Sequence, residues 1–136
     1  IGLGIPAEPL FRSVWLELSV MKELGIQVEG WAPFAEGLKG MFTEPVLQEI
    51  AEKHGKTVPQ IILRWDIQQN VVIIPKSVHQ NRMEENLTIW DFELDHEDME
   101  KIAQLDKNVP SMLDCSKPSE IDRLYDYLNN PVLTSL

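Results

Sequence analysis

Cysteine is nearly absent from this 136-residue chain: Cys115 is the single thiol, so no disulfide can form within it and a reducing, cytoplasmic setting is expected. That thiol lies in a polar run, Asp114-Cys115-Ser116-Lys117-Pro118, with no signature of a nucleophile around it. Positive charge is also scarce. Twelve Lys and Arg face 22 Asp and Glu, a net charge of −10, and an acidic surface repels both nucleic acid and anionic membrane. No apolar run approaches the roughly 20 residues of a membrane span, and no signal-peptide pattern opens the chain. Internal repeats, low-complexity tracts and long linkers are missing too. What remains, 43% hydrophobic and 25% charged residues, is ordinary for a globular domain.

Apolar spacing sets out the elements. Residues 12–24 read as a helix stopped by Gly25, and Ile26–Ala32 alternates as a strand does. A loop rich in Pro, Gly and small residues runs from Pro33 to Phe42. Thr43–His54 reads as a helix with Thr43 as N-cap, Val46, Leu47 and Ile50 on one stripe, and Gly55 as its stop. Thr57, with Gln60 three residues on, forms a capping box for the next helix, whose apolar face is Ile61, Ile62 and Trp65. Val71–Ile74 is a continuous β-branched run ended by Pro75, as in a parallel strand buried on both faces. Asn81–Ile89 is helical again, with Met83 and Leu87 on its core-facing stripe. A further helix starts at Asp95, with Asp98 closing a capping box and Leu94 and Met99 a hydrophobic staple. Strands separated by helices, with no hairpin pattern between them, predict an α/β chain with a parallel sheet. The helical spacing of Ile121, Leu124, Tyr125 and Leu128 makes the tail either a terminal helix packed on the body or a border to a substrate pocket.

One window departs from the acidic background. Residues 76–82 carry Lys76 and Arg82 and no acid, just after a buried strand and at the start of a helix. That is the rim where ligands bind in parallel α/β folds, and the helix N-terminus adds partial positive charge. From the residues alone, the window suits either a nucleotide, with Lys and Arg on phosphate and a Glu–Asn pair on a base edge, or a solvated polar helix start.

The motifs carry a resemblance. Trp31-Ala32-Pro33-Phe34-Ala35-Glu36-Gly37, then Gly55 to Trp65, then Ile74-Pro75-Lys76-Ser77-Val78 with Arg82 and Asn86, closely resemble the aldo-keto reductases. Asp91–Asp95 and Ile102–Asp106 continue the likeness, which covers roughly residues 20–107 and is nearest to the bacterial branch reducing sugar-derived and small carbonyl compounds. The resemblance implies the C-terminal part of a (β/α)8 TIM barrel, about strands 7 and 8 with flanking helices, incomplete on its own because a whole barrel needs about 250 residues. It divides the chain into a poorly matched segment 1–19, a barrel part 20–107 with the NADP-binding edge, and a tail 108–136. It also implies NADP(H) as cofactor. Lys76 and Arg82 would hold the 2′-phosphate, with Ser77 and the Val78 backbone assisting. Arg82 would lie against the adenine, and Glu85 and Asn86 would address its exocyclic amine. Phe34 and Glu36 would run beside the pyrophosphate. Trp31 would stack on the nicotinamide, or else be a buried core aromatic.

The family's catalysis uses a Tyr, a Lys, an Asp and a His from the N-terminal half of the barrel, upstream of everything matched here. Tyr125 and Tyr127 lie in the tail, and His54, His79 and His96 fall at a helix end, a turn and a helix start. No catalytic residue and no metal ligand is therefore assigned. The expectation is a cofactor-binding part of a carbonyl reductase, acting on a small carbonyl substrate in a complete protein, with a missing N-terminal half or self-association covering its open edges. The other expectation is an inactive remnant serving as an oligomeric binding or structural module.

Overall fold

A computed structural model of the chain describes residues 15–30, 32–34, 40–106 and 118–129. The expectations for residues 1–14, Trp31, Glu36 and Cys115 lie outside them. Helix α1 (Trp15–Glu23) ends before Gly25, whose φ of 67° is the left-handed conformation that stops a helix. Strand β1 (Val28–Gly30) follows, shorter than the predicted 26–32, because Ala32 already turns to a φ of 49°. It pairs in parallel with β2 (Val71–Ile73), Val28 opposite Val71 and Gly30 opposite Ile73. Between the two strands run α2 (Pro45–His54) and α3 (Val58–Gln68). The parallel pairing across a helical crossover is the one predicted.

Local sequence explains the helix ends. Glu44, not Thr43, caps α2: its carboxylate accepts from the Val46 N–H, and Pro45 takes the first helical position. The Thr43 hydroxyl is spent on the Gly40 carbonyl at 2.9 Å, closing a short 3-10 turn over Met41–Thr43. Gly55 ends α2 with a φ of 62°. Thr57 and Gln60 form the expected capping box at the start of α3, as Asp95 and Asp98 do for α5 (His96–Ala103). Helix α4 (Gln80–Leu87) lies between α3 and α5 in sequence, and α6 (Pro118–Asn129) comes last.

The core is helical. Leu47, Ile50 and Ala51 of α2, Ile61, Ile62 and Trp65 of α3, and Leu94 and Ile102 around α5 form one buried cluster with Met41 and Val58. Met99 packs against it, as the predicted staple with Leu94 requires. Each fully buried Leu or Ile contributes about 1.5–3 kcal/mol. Two expectations about burial are corrected. Val71 is buried, but Val72 is 43% and Ile74 61% exposed, so the strand is covered on one face alone. Met83 and Leu87 are exposed rather than core-facing; Leu87 is 72% exposed and α4 buries no residue.

Besides the burial of Ile89 and Leu94, polar contacts from α3 hold the segment after α4. Gln60, Arg64 and Gln68 recur every fourth residue and so share one face of α3. The Gln60 amide donates to the carbonyls of Glu85 and Thr88, and Arg64 Nη1 donates to that of Ile89. Gln68 donates to the Leu94 carbonyl and accepts from the Leu94 N–H. Backbone polar groups of an irregular stretch thereby find partners that no sheet or helix supplies.

Candidate functional site

A cavity of about 450 Å3 opens where three stretches of chain meet. Phe34 and Phe42 wall one side, their rings 5.8 Å apart and tilted by 59°. The first turn of α3 supplies Thr57, Val58 and Pro59, while Lys76, Ser77, Arg82, Glu85 and Asn86 complete the lining. The loop between β2 and α4 is shaped by Ser77, whose hydroxyl accepts from the His79 N–H at 3.2 Å, and His79 is the N-cap of α4. Three residues into that helix comes Arg82, with Glu85 and Asn86 on its following turn.

Six of the nine residues singled out from the sequence thus line one cavity: Phe34, Lys76, Ser77, Arg82, Glu85 and Asn86. The side chain of Val78 is exposed and lines no part of it. Trp31 and Glu36 lie outside the described residues. Sequence reasoning missed Phe42 and the Thr57–Pro59 turn as lining residues. The Thr57-Val58-Pro59-Gln60 start signal was legible, but nothing local says that it faces Arg82 from across the fold.

Of the described cations without a carboxylate partner, two line the cavity. Lys53, Lys56, Arg64 and Lys101 each have a carboxylate within 3.2 Å. Lys76 and Arg82 have no hydrogen-bond or ion-pair partner among the described residues. Two cations without a carboxylate partner among the described residues, beside the partly positive first turns of α3 and α4, give this cavity a local positive character within an acidic chain. Glu85 is the acid in the lining and sets a limit to how much anionic charge is welcome beside it. Among the described residues, no cluster of His, Cys, Asp or Glu is placed to hold a metal ion, and no helix is long and apolar enough to cross a membrane.

Comparison with known proteins shows the family of the chain. Residues 18–107 match the aldo/keto reductase family. The chain is 46% identical over 82 residues to the methylglyoxal reductase DkgA of Escherichia coli K12, covering 60% of this chain and 30% of that protein. It is 52% identical over 87 residues to the glyoxal reductase of Bacillus subtilis 168, covering 64% and 31%. A solved structure of a Gox0644 variant in complex with NADPH superimposes with a TM-score of 0.72 at 34% identity, over 81% of this chain and 40% of that one. The chain belongs to the aldo/keto reductase family. It spans just under a third of the length of the two curated relatives.

Proposed function

We propose that the cavity binds the adenine and 2′-phosphate end of NADP(H), and that the chain forms the cofactor-binding part of a carbonyl-reducing (β/α)8 barrel, around its strands 7 and 8. The observation that carries this is the pair of unpartnered cations, Lys76 and Arg82, lining one cavity with Ser77, Glu85 and Asn86. The donor set fits the group. Arg82 offers a planar fork and Lys76 a point charge to a phosphate, Ser77 a hydroxyl, and Glu85 and Asn86 polar atoms for an exocyclic amine. A volume of about 450 Å3 lies within the range of small-molecule sites. That a structural relative is solved in complex with NADPH supports NADP(H) as the ligand. Trp31 and Glu36 are proposed, by resemblance, for the nicotinamide and pyrophosphate ends.

The cofactor, when bound, would supply hydride to a carbonyl carbon. This chain's residues bind and orient it; none of them is proposed to move a proton. Titrating the chain with NADPH, NADH and adenosine 2′,5′-bisphosphate by calorimetry tests the reading. Binding of NADPH and of the bisphosphate, with NADH weaker, is the expected result. Equal affinity for NADPH and NADH would remove the phosphate from the assignment.

A further inference from the structure

Gln60 is 6% exposed and makes four polar contacts, two at each end of its amide. Its Oε1 accepts from the Thr57 N–H at 3.0 Å and the Thr57 hydroxyl at 3.3 Å, completing the cap of α3. Its Nε2 donates to the Glu85 carbonyl at 3.2 Å and the Thr88 carbonyl at 2.9 Å, at the last turn of α4. The amide orientation is fixed by chemistry, since the carbonyls can only accept and the Thr57 N–H can only donate. The two elements it joins both line the cavity, the first through Thr57, Val58 and Pro59 and the second through Arg82, Glu85 and Asn86. Helix α4 has no buried residue to dock it.

The geometry points to Gln60 as the positioning residue of the nucleotide site: it sets the gap between α3 and α4 and so the placing of Arg82, Glu85 and Asn86, without itself touching ligand. This rests on the cofactor reading above. An apolar helix face tolerates sliding, whereas two hydrogen bonds to fixed carbonyls hold one register, and misplacing a phosphate ligand by a fraction of an ångström loses the charge-assisted bond.

Gln60→Glu separates positioning from folding. The variant keeps an oxygen for Thr57 and hence the capping box, but turns the second oxygen onto two carbonyls that need a donor. Three measurements on the full chain apply: amide hydrogen exchange across residues 80–87 without ligand, NADPH affinity by calorimetry, and both as pH is lowered. Faster exchange in α4 and about tenfold weaker NADPH binding are expected, the size of losing one to two hydrogen bonds. Both effects should shrink in acid, where the introduced carboxyl takes up a proton and regains a donor. Gln68→Glu, which loses the Leu94 carbonyl contact at the far end of the same stripe, should leave NADPH affinity within about twofold. Should Gln60→Glu fail to fold, Gln60→Met carries the same expectation without the recovery in acid. Unchanged α4 exchange, or equal weakening by the Gln60 and Gln68 variants, would overturn the proposal. If the unaltered chain binds no NADPH, the cofactor reading falls and the affinity role falls with it, while the exchange comparison still decides whether Gln60 holds α4.

Discussion

Asp66 is a carboxylate with 0% exposure on α3, and neither of its oxygens has a hydrogen-bond partner among the described residues. The apolar face read from the sequence, Ile61, Ile62 and Trp65, did not include Asp66, and an acid in a helix gives no local sign that it will be buried. Burial pushes its pKa well above the ordinary 3.8. The folded chain therefore holds this proton more tightly than the unfolded one. The associated stability is full below the unfolded value and is lost as pH rises from there through the folded value. Asp66→Asn cannot charge, so its advantage in urea unfolding should grow as pH rises above the unfolded value, where only the unfolded aspartate gains by ionising. An advantage that stays flat with pH would show that Asp66 finds a partner. Arg82 is the opposite case, exposed and without a partner among the described residues. A hydrogen bond to a charged group contributes about 1.5–3 kcal/mol, so Arg82→Ala should weaken NADPH by about one to two orders of magnitude and NADH by less. Lys76→Ala should act in the same direction, with an effect that shrinks as salt screens the charge. Equal losses for both cofactors would mean that Arg82 serves the helix rather than a phosphate.

Helix α5 shows how an element is fixed by residues far away in sequence. Lys53 Nζ lies 2.6 Å from Asp95 and 2.8 Å from Asp98, and His54 Nε2 lies 2.7 Å from Asp98. Both basic residues end α2, where cations also meet the negative end of the helix dipole. The Asp98 side chain is 1% exposed. Burial pushes its pKa up, but the Lys53 and His54 contacts outweigh that and leave it lowered; the Lys53 contact draws Asp95 down to about 2. Both folded values lie below the unfolded 3.8. The clasp therefore stabilises fully above that pH and fails as acid approaches 2. Asp98→Ala should cost about 1–2 kcal/mol at pH 7, through the lost capping bond and the charge-assisted contacts to half-exposed Lys53 and to His54, and the deficit in urea unfolding should narrow towards pH 2. A deficit that persists in acid would assign the cost to packing. The capping boxes at Thr57 and Asp95 were legible because their partners lie three residues away. Lys53 and His54 were not, since no spacing rule reaches more than forty residues. The stripe of Met83 and Leu87 failed for a related reason: periodicity presupposes a surface to face, and α4 meets Gln60 and its neighbours through polar groups instead.

At the scale of the molecule, the described sheet has one apolar face in water. Parallel strands are normally covered on both faces, yet Val72 and Ile74 stand exposed and the described sheet holds two strands with open edges. The sequence signalled burial on both faces, and the described residues cover one. The β-branched residues were read correctly as strand; what they face was not legible, because a strand records the chemistry of its neighbours and not their source. An apolar face and unpaired strand edges in water draw a partner of matching character. The 136-residue chain should therefore associate at micromolar concentration, with light scattering giving a mass above the 15.6 kDa of one chain. Val72→Lys with Ile74→Lys, placed on the open face and away from the core cluster, should shift that population towards monomer while leaving unfolding in urea nearly unchanged. Replacing Leu87, exposed on α4, should not. A monodisperse monomer at every concentration would show that the open face is tolerated in water. Association that is indifferent to the two lysines would place the contact elsewhere on the surface.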